Sequence, residues 1–203
     1  MGQAWKIALL AALLVVVALL VRSELPLAGL RHTDRSKLPP SSLPIQSPIS
    51  DERLVVIHKA ERVLGLYLRG RLIEAYPIGL GRHPEGPKEA RGDGRTPEGV
   101  YYICTRNARS QFHLFLGISY PKKDDADRAI RAGRISAEEH RTIVEAINAG
   151  PQPPWDTALG GEIGIHGGGA ERDWTLGCIA LENDAVERLW DTLKIGDPVL
   201  IEP

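Results

Sequence analysis

Cysteine is scarce in this chain. Cys104 and Cys178 are the only two in 203 residues. That is too few for the disulfide framework of a small secreted fold, and the spacing is wrong for a paired-cysteine zinc site. An excess of charge is missing as well. The formal net charge is −1, so the chain lacks the electrostatic footprint that nucleic-acid binding needs, and nucleic acid is excluded as a partner. Histidines at metal-ligand spacing are absent too: His83 and His113 stand alone, with no H-x-x-x-H pattern, and no metal is expected. No G-x-S-x-G nucleophile elbow occurs, since Ser119 runs into Tyr120-Pro121. This rules out an α/β-hydrolase despite a His-Gly-Gly-Gly run at His166. There is no internal repeat.

What is present begins with an apolar run. Lys6 precedes 15 uninterrupted apolar residues, Ile7 to Val21. This fits a signal-peptide core, or a short membrane anchor when Ala4 and Trp5 are included. No small-x-small cleavage site follows, which favours an uncleaved anchor over residues 4–21. Lys6 stands where a myristoylation motif needs Ser or Thr, so Gly2 is not read as a lipid site. The expectation is an exported protein, with a signal peptide or signal anchor over 1–22 and membrane contact through that segment. Residues 23–50 read as a linker, with Pro39, Pro40, Pro44 and Pro48 among serines.

From Asp51 the pattern becomes that of a folded domain, 51–203. Leu54 to Ile57 is a strand-like run. Leu64, Leu66 and Leu68 alternate with Gly65, Tyr67 and Arg69, a period of two. Gly70 supplies a turn and Leu72 to Ile78 the returning strand. A loop rich in Gly, Pro and charge extends to Pro97. Val100 to Cys104 and Phe112 to Ile118 are two further strands. The middle is helical: Asp124 to Arg131, then a helix opened by a Ser136/Glu139 capping box and stopped by Gly150 and Pro151. Its Val144 and Ile147 are expected to face the sheet. Asn183 or Asp184 caps a last helix with Val186, Leu189, Trp190 and Leu193 on one stripe, and Val199 to Ile201 closes the domain. The fold class is mainly β with packed helices, α+β.

Two short apolar runs each end at a reactive side chain. Ile163-Gly164-Ile165 leads to His166, and Thr175-Leu176-Gly177 leads to Cys178. A thiol held near an imidazole can serve as a nucleophile with its base. On the residues alone, Cys178 has three readings: nucleophile, disulfide partner of Cys104, or inert core thiol. His113 is either a substrate-pocket residue or a half-buried sheet residue. Tyr120 is a second pocket candidate. Arg82, Arg91 and Arg95 either meet substrate carboxylates or form a solvated loop.

Taken together, His166 with Thr175-Leu176-Gly177-Cys178, the hairpin Arg62 to Gly81, and Thr96-Pro97-Glu98-Gly99-Val100-Tyr101 resemble the L,D-transpeptidase catalytic domain family (the YkuD type). The resemblance covers about Asp51 to Pro203. It implies a YkuD-like β-sandwich or sheet domain with a late His…Cys active site, no cofactor, and a periplasmic location. It implies peptidoglycan stem peptides as partners, with Cys178 as nucleophile and His166 as base. The Gly167 carbonyl would orient the ring, and backbone N–H groups around Gly177 would stabilise the oxyanion. Leu176 and Ala180 replace the family's usual His and Arg or Asn, and the spacing of 12 positions between His166 and Cys178 is short. Those departures resemble the YafK-like branch. They leave three outcomes open: L,D-transpeptidation through a thioester, hydrolysis that releases a cross-link or attached lipoprotein, and a non-catalytic wall-binding domain.

Overall fold

The computed structural model describes residues 52–150 and 152–203. The expected signal segment and linker lie outside these residues. Among the described residues no helix is long and apolar enough to cross a membrane.

The first three strands form a meander, β1 (Arg53–His58), β2 (Val63–Leu68) and β3 (Arg71–Pro77). Arg69 and Gly70 between β2 and β3 both have positive φ, as a two-residue hairpin turn of the primed type requires. Next come β4 (Gly99–Ser110) and β5 (His113–Ile118), then helices α1 (Lys123–Arg131) and α2 (Ala137–Ala149). Two short strands follow, β6 (Gly164–His166) and β7 (Ile179–Ala180). The chain ends with α3 (Asn183–Thr192) and β8 (Pro198–Glu202). The sheet order is β3-β2-β1-β8-β4-β5-β6-β7. The last strand is therefore inserted centrally, parallel to β1 and antiparallel to β4.

Strand β4 joins the two halves of the sheet. Its start, Gly99 to Tyr102, pairs with β8; the rest, from Ile103 to Ser110, pairs with β5 across two register shifts. Such irregularities bend a strand and raise its twist. The sequence pattern ended this strand at Cys104, because Thr105 to Ser110 is polar and partly exposed and carries no apolar alternation. The α+β class stands, with an apolar core that includes Ile57, Leu64, Ile103, Leu116, Ile165, Ile179 and Leu189.

The helices adjust two expectations. Ser136 does form a capping box with Glu139, and Gly150 is the C-cap. The buried residue of α2 is Ile143, fully covered, with Ile147 packed beside it; Val144 is only half-buried. Helix α3 is preceded by Glu182 at the N-cap, which frees the Asn183 side chain for another task.

The polar loop from Ile78 to Glu98 is ordered by buried charge rather than by regular structure. Lys59, 2% exposed, donates to the carbonyls of Gly86 (2.7 Å) and Thr96 (3.1 Å) and to Glu98 Oε1 (2.7 Å). Burial lowers its pKa, and Glu98 works against that shift. The Asp93 carboxylate accepts from the backbone N–H groups of Glu89, Ala90 and Arg95 and from Lys88 Nζ at 2.7 Å. Burial pushes its pKa up, but those hydrogen bonds outweigh it and hold the carboxyl below its ordinary value.

Candidate active site

Strands β6 and β7 place the two reactive residues on neighbouring strands. They pair in parallel, Ile165 opposite Ile179 and His166 opposite Ala180. Ile165 and Ile179 point into the core and are fully buried. Side chains alternate along a strand, so His166 and Ala180 lie on the other face, and Cys178, two residues before Ala180, falls on that face too. With strands about 4.8 Å apart and about 3.3 Å per residue, the two Cα atoms stand about 8 Å apart on a diagonal.

His166 is 2% exposed. Its Nδ1 lies 2.6 Å from the Gly167 carbonyl oxygen. A carbonyl only accepts, so Nδ1 carries the proton and Nε2 presents a lone pair. The Phe112 ring stacks on the imidazole at 4.8 Å and 25°, and Trp174 meets it edge-on at 5.5 Å and 70°. Burial lowers the imidazole pKa below 6.5, partly offset by the Gly167 hydrogen bond. The ring is thus held as a neutral base.

Cys178 sits at the end of a tight turn. Thr175 Oγ1 accepts from Gly177 N–H (3.1 Å) and donates to the Cys178 carbonyl (2.7 Å). Gly177 has φ +131°, and a Cβ there would lie 2.5 Å from the Arg95 carbonyl oxygen. Only glycine fits both the conformation and the space. The segment Ile78 to Arg82 braces the turn from behind: Gly79 exchanges backbone hydrogen bonds with Ala180 (2.9 and 2.8 Å), and Leu80 O accepts from Trp174 and Thr175. A Cβ on Gly81 would collide with the Gly94 carbonyl oxygen. The Cys178 thiol donates to the Glu162 carbonyl at 3.4 Å. Burial pushes this thiol up to about 11, against pulls from Gly164 N–H and the Lys88 charge. Both shifts run toward the neutral forms, thiol and imidazole.

Both cysteines are free, so the disulfide alternative falls. Cys104 lies buried inside β4 with its thiol pushed up to about 12 by burial. Tyr120 lies in the core. It is fully buried, its hydroxyl donates to Leu159 O at 3.3 Å, and its ring packs edge-on to Tyr101. His113 lies beside the site. It has φ +72° in the β4–β5 turn, its Cβ is 3.2 Å from where a Cβ on Gly167 would stand, and its Nε2 pairs with Glu187 at 2.7 Å. Gly177 N–H is already engaged by Thr175. Arg91 is tied to the carbonyls of Trp155 and Thr157.

Four contributors escaped the sequence pattern. Phe112 and Trp174 enclose the imidazole, and Trp174 Nε1 is fixed on Gly169 O at 3.1 Å. Asn183 Oδ1 accepts from Gly168 N–H at 3.0 Å and so pins the glycine run. Asp173 accepts from Leu80 N–H at 2.9 Å and forms an ion pair with Arg62 at 2.7 Å, anchoring the loop before Trp174. The available signal was the scarcity of aromatics: with 5% aromatic residues, two beside the His and Cys motifs are notable.

The chain has counterparts among known proteins. The L,D-transpeptidase catalytic domain model (YkuD) matches residues 52–201. The YafK proteins of Escherichia coli K12 and O157:H7, named as L,D-transpeptidases, are each 29% identical over 126 residues. Those matches cover 59% of this chain and 49% of each relative, so the chain spans about half the length of the curated relatives it matches. The helical cell shape determining protein Pgp2 of Campylobacter jejuni shares the fold at a TM-score of 0.51 and 22% identity, covering 74% of this chain and 47% of that one. The family match takes in His166 and Cys178 and well over half of the chain, and the chain belongs to the L,D-transpeptidase catalytic domain family.

Proposed function

We propose that the protein is a cysteine acyltransferase acting on peptidoglycan stem peptides, with Cys178 as nucleophile and His166 as general base. The observation that carries this reading is the placement of His166 on the face of Cys178, with its Nδ1 proton held by Gly167 O at 2.6 Å. Nε2 is thereby the acceptor for the thiol proton. Because the thiol is pushed up to about 11 and the imidazole is lowered, the proton moves as sulfur attacks, not before.

Sulfur adds to the carbonyl of the third stem residue, and its proton passes to His166. The tetrahedral oxyanion is met by the backbone N–H of Cys178, because that of Gly177 is engaged by Thr175. The imidazolium then protonates the leaving amine, and the C–N bond breaks to leave a thioester. An amine or water, deprotonated by His166, resolves it and restores the thiol. Resolution by an amine is L,D-transpeptidation, the chemistry in the names of the YafK relatives. Resolution by water is the second reading. It is favoured by Leu176, 68% exposed, and Ala180, fully buried, which place no charged or hydrogen-bonding side chain where the family has His and Arg or Asn. The reading also places the domain in the periplasm, tethered by residues 4–21.

Purified tetrapeptide muropeptides and cross-linked sacculi separate the outcomes. Cross-linked dimers from tetrapeptides establish the transferase; monomers or lipoprotein freed from sacculi establish the hydrolase. No product from either substrate, together with unchanged wall binding by Cys178→Ala, would leave only the non-catalytic domain.

A further inference from the structure

Lys88 is a buried lysine, 4% exposed, that takes no part in the proton transfer between Cys178 and His166. An ammonium taken out of water needs a counter-ion and acceptors. Lys88 has both. Its Nζ donates to Asp93 Oδ1 at 2.7 Å and to Ala90 O at 2.9 Å, and it stands 6.0 Å from the centroid of the Tyr120 ring. The other charged groups around it are engaged with one another. Glu89, Asp125, Arg128 and Arg134 share the walls of a small cavity with Lys88 and Tyr120. There Arg134 pairs with Glu89 at 2.8 Å, and Arg128 pairs with Asp125.

Two routes of contact join this ammonium to the cysteine turn. Along one, Asp93 Oδ1 also accepts from Arg95 N–H at 3.0 Å, and the Arg95 carbonyl lies against Gly177. Along the other, Tyr120 donates its hydroxyl to Leu159 O at 3.3 Å. Leu159 stands three residues before Glu162, whose carbonyl accepts the Cys178 thiol at 3.4 Å. The charge itself reaches the sulfur as well: the Lys88 ammonium favours the thiolate, and the Glu162 carboxylate opposes it. Sulfur gathers negative charge as its proton leaves for His166, and again when it is expelled from the thioester. A fixed, buried positive charge stabilises such developing charge without having to reorganise.

We propose that Lys88 is a positioning residue of the acyl-transfer site, its ammonium held by Asp93 so that it supports negative charge on the Cys178 sulfur. The part it plays in turnover rests on the acyl-transfer reading of Cys178. The field at the sulfur does not depend on that reading.

The two halves of the ion pair give opposite signs. The test follows iodoacetamide labelling of Cys178 by mass spectrometry at pH 8 in the full chain. Lys88→Met removes the positive charge and leaves Asp93, and should label about threefold slower. Asp93→Asn leaves the ammonium without its neutralising partner, and should label about threefold faster. About threefold is what remains of a tenfold change in thiolate fraction after the opposing change in nucleophilicity. The double variant, Lys88→Met with Asp93→Asn, orphans no buried charge and guards against misfolding of either single one. Its rate should fall between those of Lys88→Met and the unsubstituted chain. A role in loop packing alone would move both single variants in the same direction. Changes of the same sign, equal rates in all the variants, or a double variant as fast as the unsubstituted chain would overturn the proposal. Acylation by imipenem, measured on the unsubstituted chain, reports on the acyl-transfer reading separately. Acylation without the expected order of rates keeps the acyltransferase and loses the role of Lys88. The expected order without acylation keeps the field at the sulfur and loses its place in turnover.

Discussion

A cysteine that rests as a neutral thiol should alkylate slowly until the medium turns strongly basic. Burial carries the Cys178 thiol from an ordinary 9.0 to about 11, so at neutral pH the thiolate fraction falls about a hundredfold. A more basic thiolate is a better nucleophile, with a Brønsted slope of about 0.4–0.5, which returns somewhat less than tenfold. The net expectation is iodoacetamide labelling about tenfold slower than that of an unhindered thiol. The assay is stopped-time mass spectrometry across pH. The rate should climb without a plateau until about pH 11 at Cys178, and Cys104, buried with its thiol at about 12, should stay unlabelled in the folded protein. His166→Gln should leave this alkylation rate nearly unchanged while abolishing acylation by substrate, because the base acts during attack. A plateau below pH 9, or labelling faster than free cysteine, would mean that a thiolate–imidazolium pair exists at rest, and the concerted proton transfer would be refuted.

The aromatic enclosure makes a second claim. Phe112→Leu or Trp174→Ala should let water reach His166 and raise its lowered pKa. A protonated imidazole cannot act as base, so the acid limb of kcat/KM should move to higher pH; an unmoved limb with only a lower plateau would assign the rings to packing alone. Gly177→Ala forces a Cβ to 2.5 Å from the Arg95 carbonyl oxygen at φ +131°, and should cost about 1–3 kcal/mol in urea unfolding together with the acylation activity. Lys59→Met leaves the Glu98 carboxylate and two carbonyls without their donor, a loss of about 3 kcal/mol, read as a lower urea midpoint.

The hairpin β2–β3, the capping box at Ser136 and the closing strand were legible because each is written locally: alternation, a turn glycine, a Ser-x-x-Glu. His166 and Cys178 were legible as residues, since each ends a short apolar run beside glycine. Their shared face was not, because it depends on the parallel register of β6 and β7, set by strands more than 40 residues away through β5. The far half of β4 was hidden for a related reason: its polar residues pair with β5 at a rim with little to bury. Tyr120 shows the converse limit. Read from sequence only as a pocket candidate, it sits in the core, where the Leu159 carbonyl accepts its hydroxyl proton. The loop from Ile78 to Glu98 looked solvated because it is charged. Lys59 and Lys88, each less than 5% exposed, turn that charge inward.

The most direct test of the account is the mass of the acyl-enzyme. Incubation with a tetrapeptide muropeptide or with imipenem, followed by rapid acid quench and peptide mapping, should give an adduct on the peptide that contains Cys178 and none in Cys178→Ala. An unmodified Cys178 in the presence of turnover, or full activity in Cys178→Ala, would contradict it.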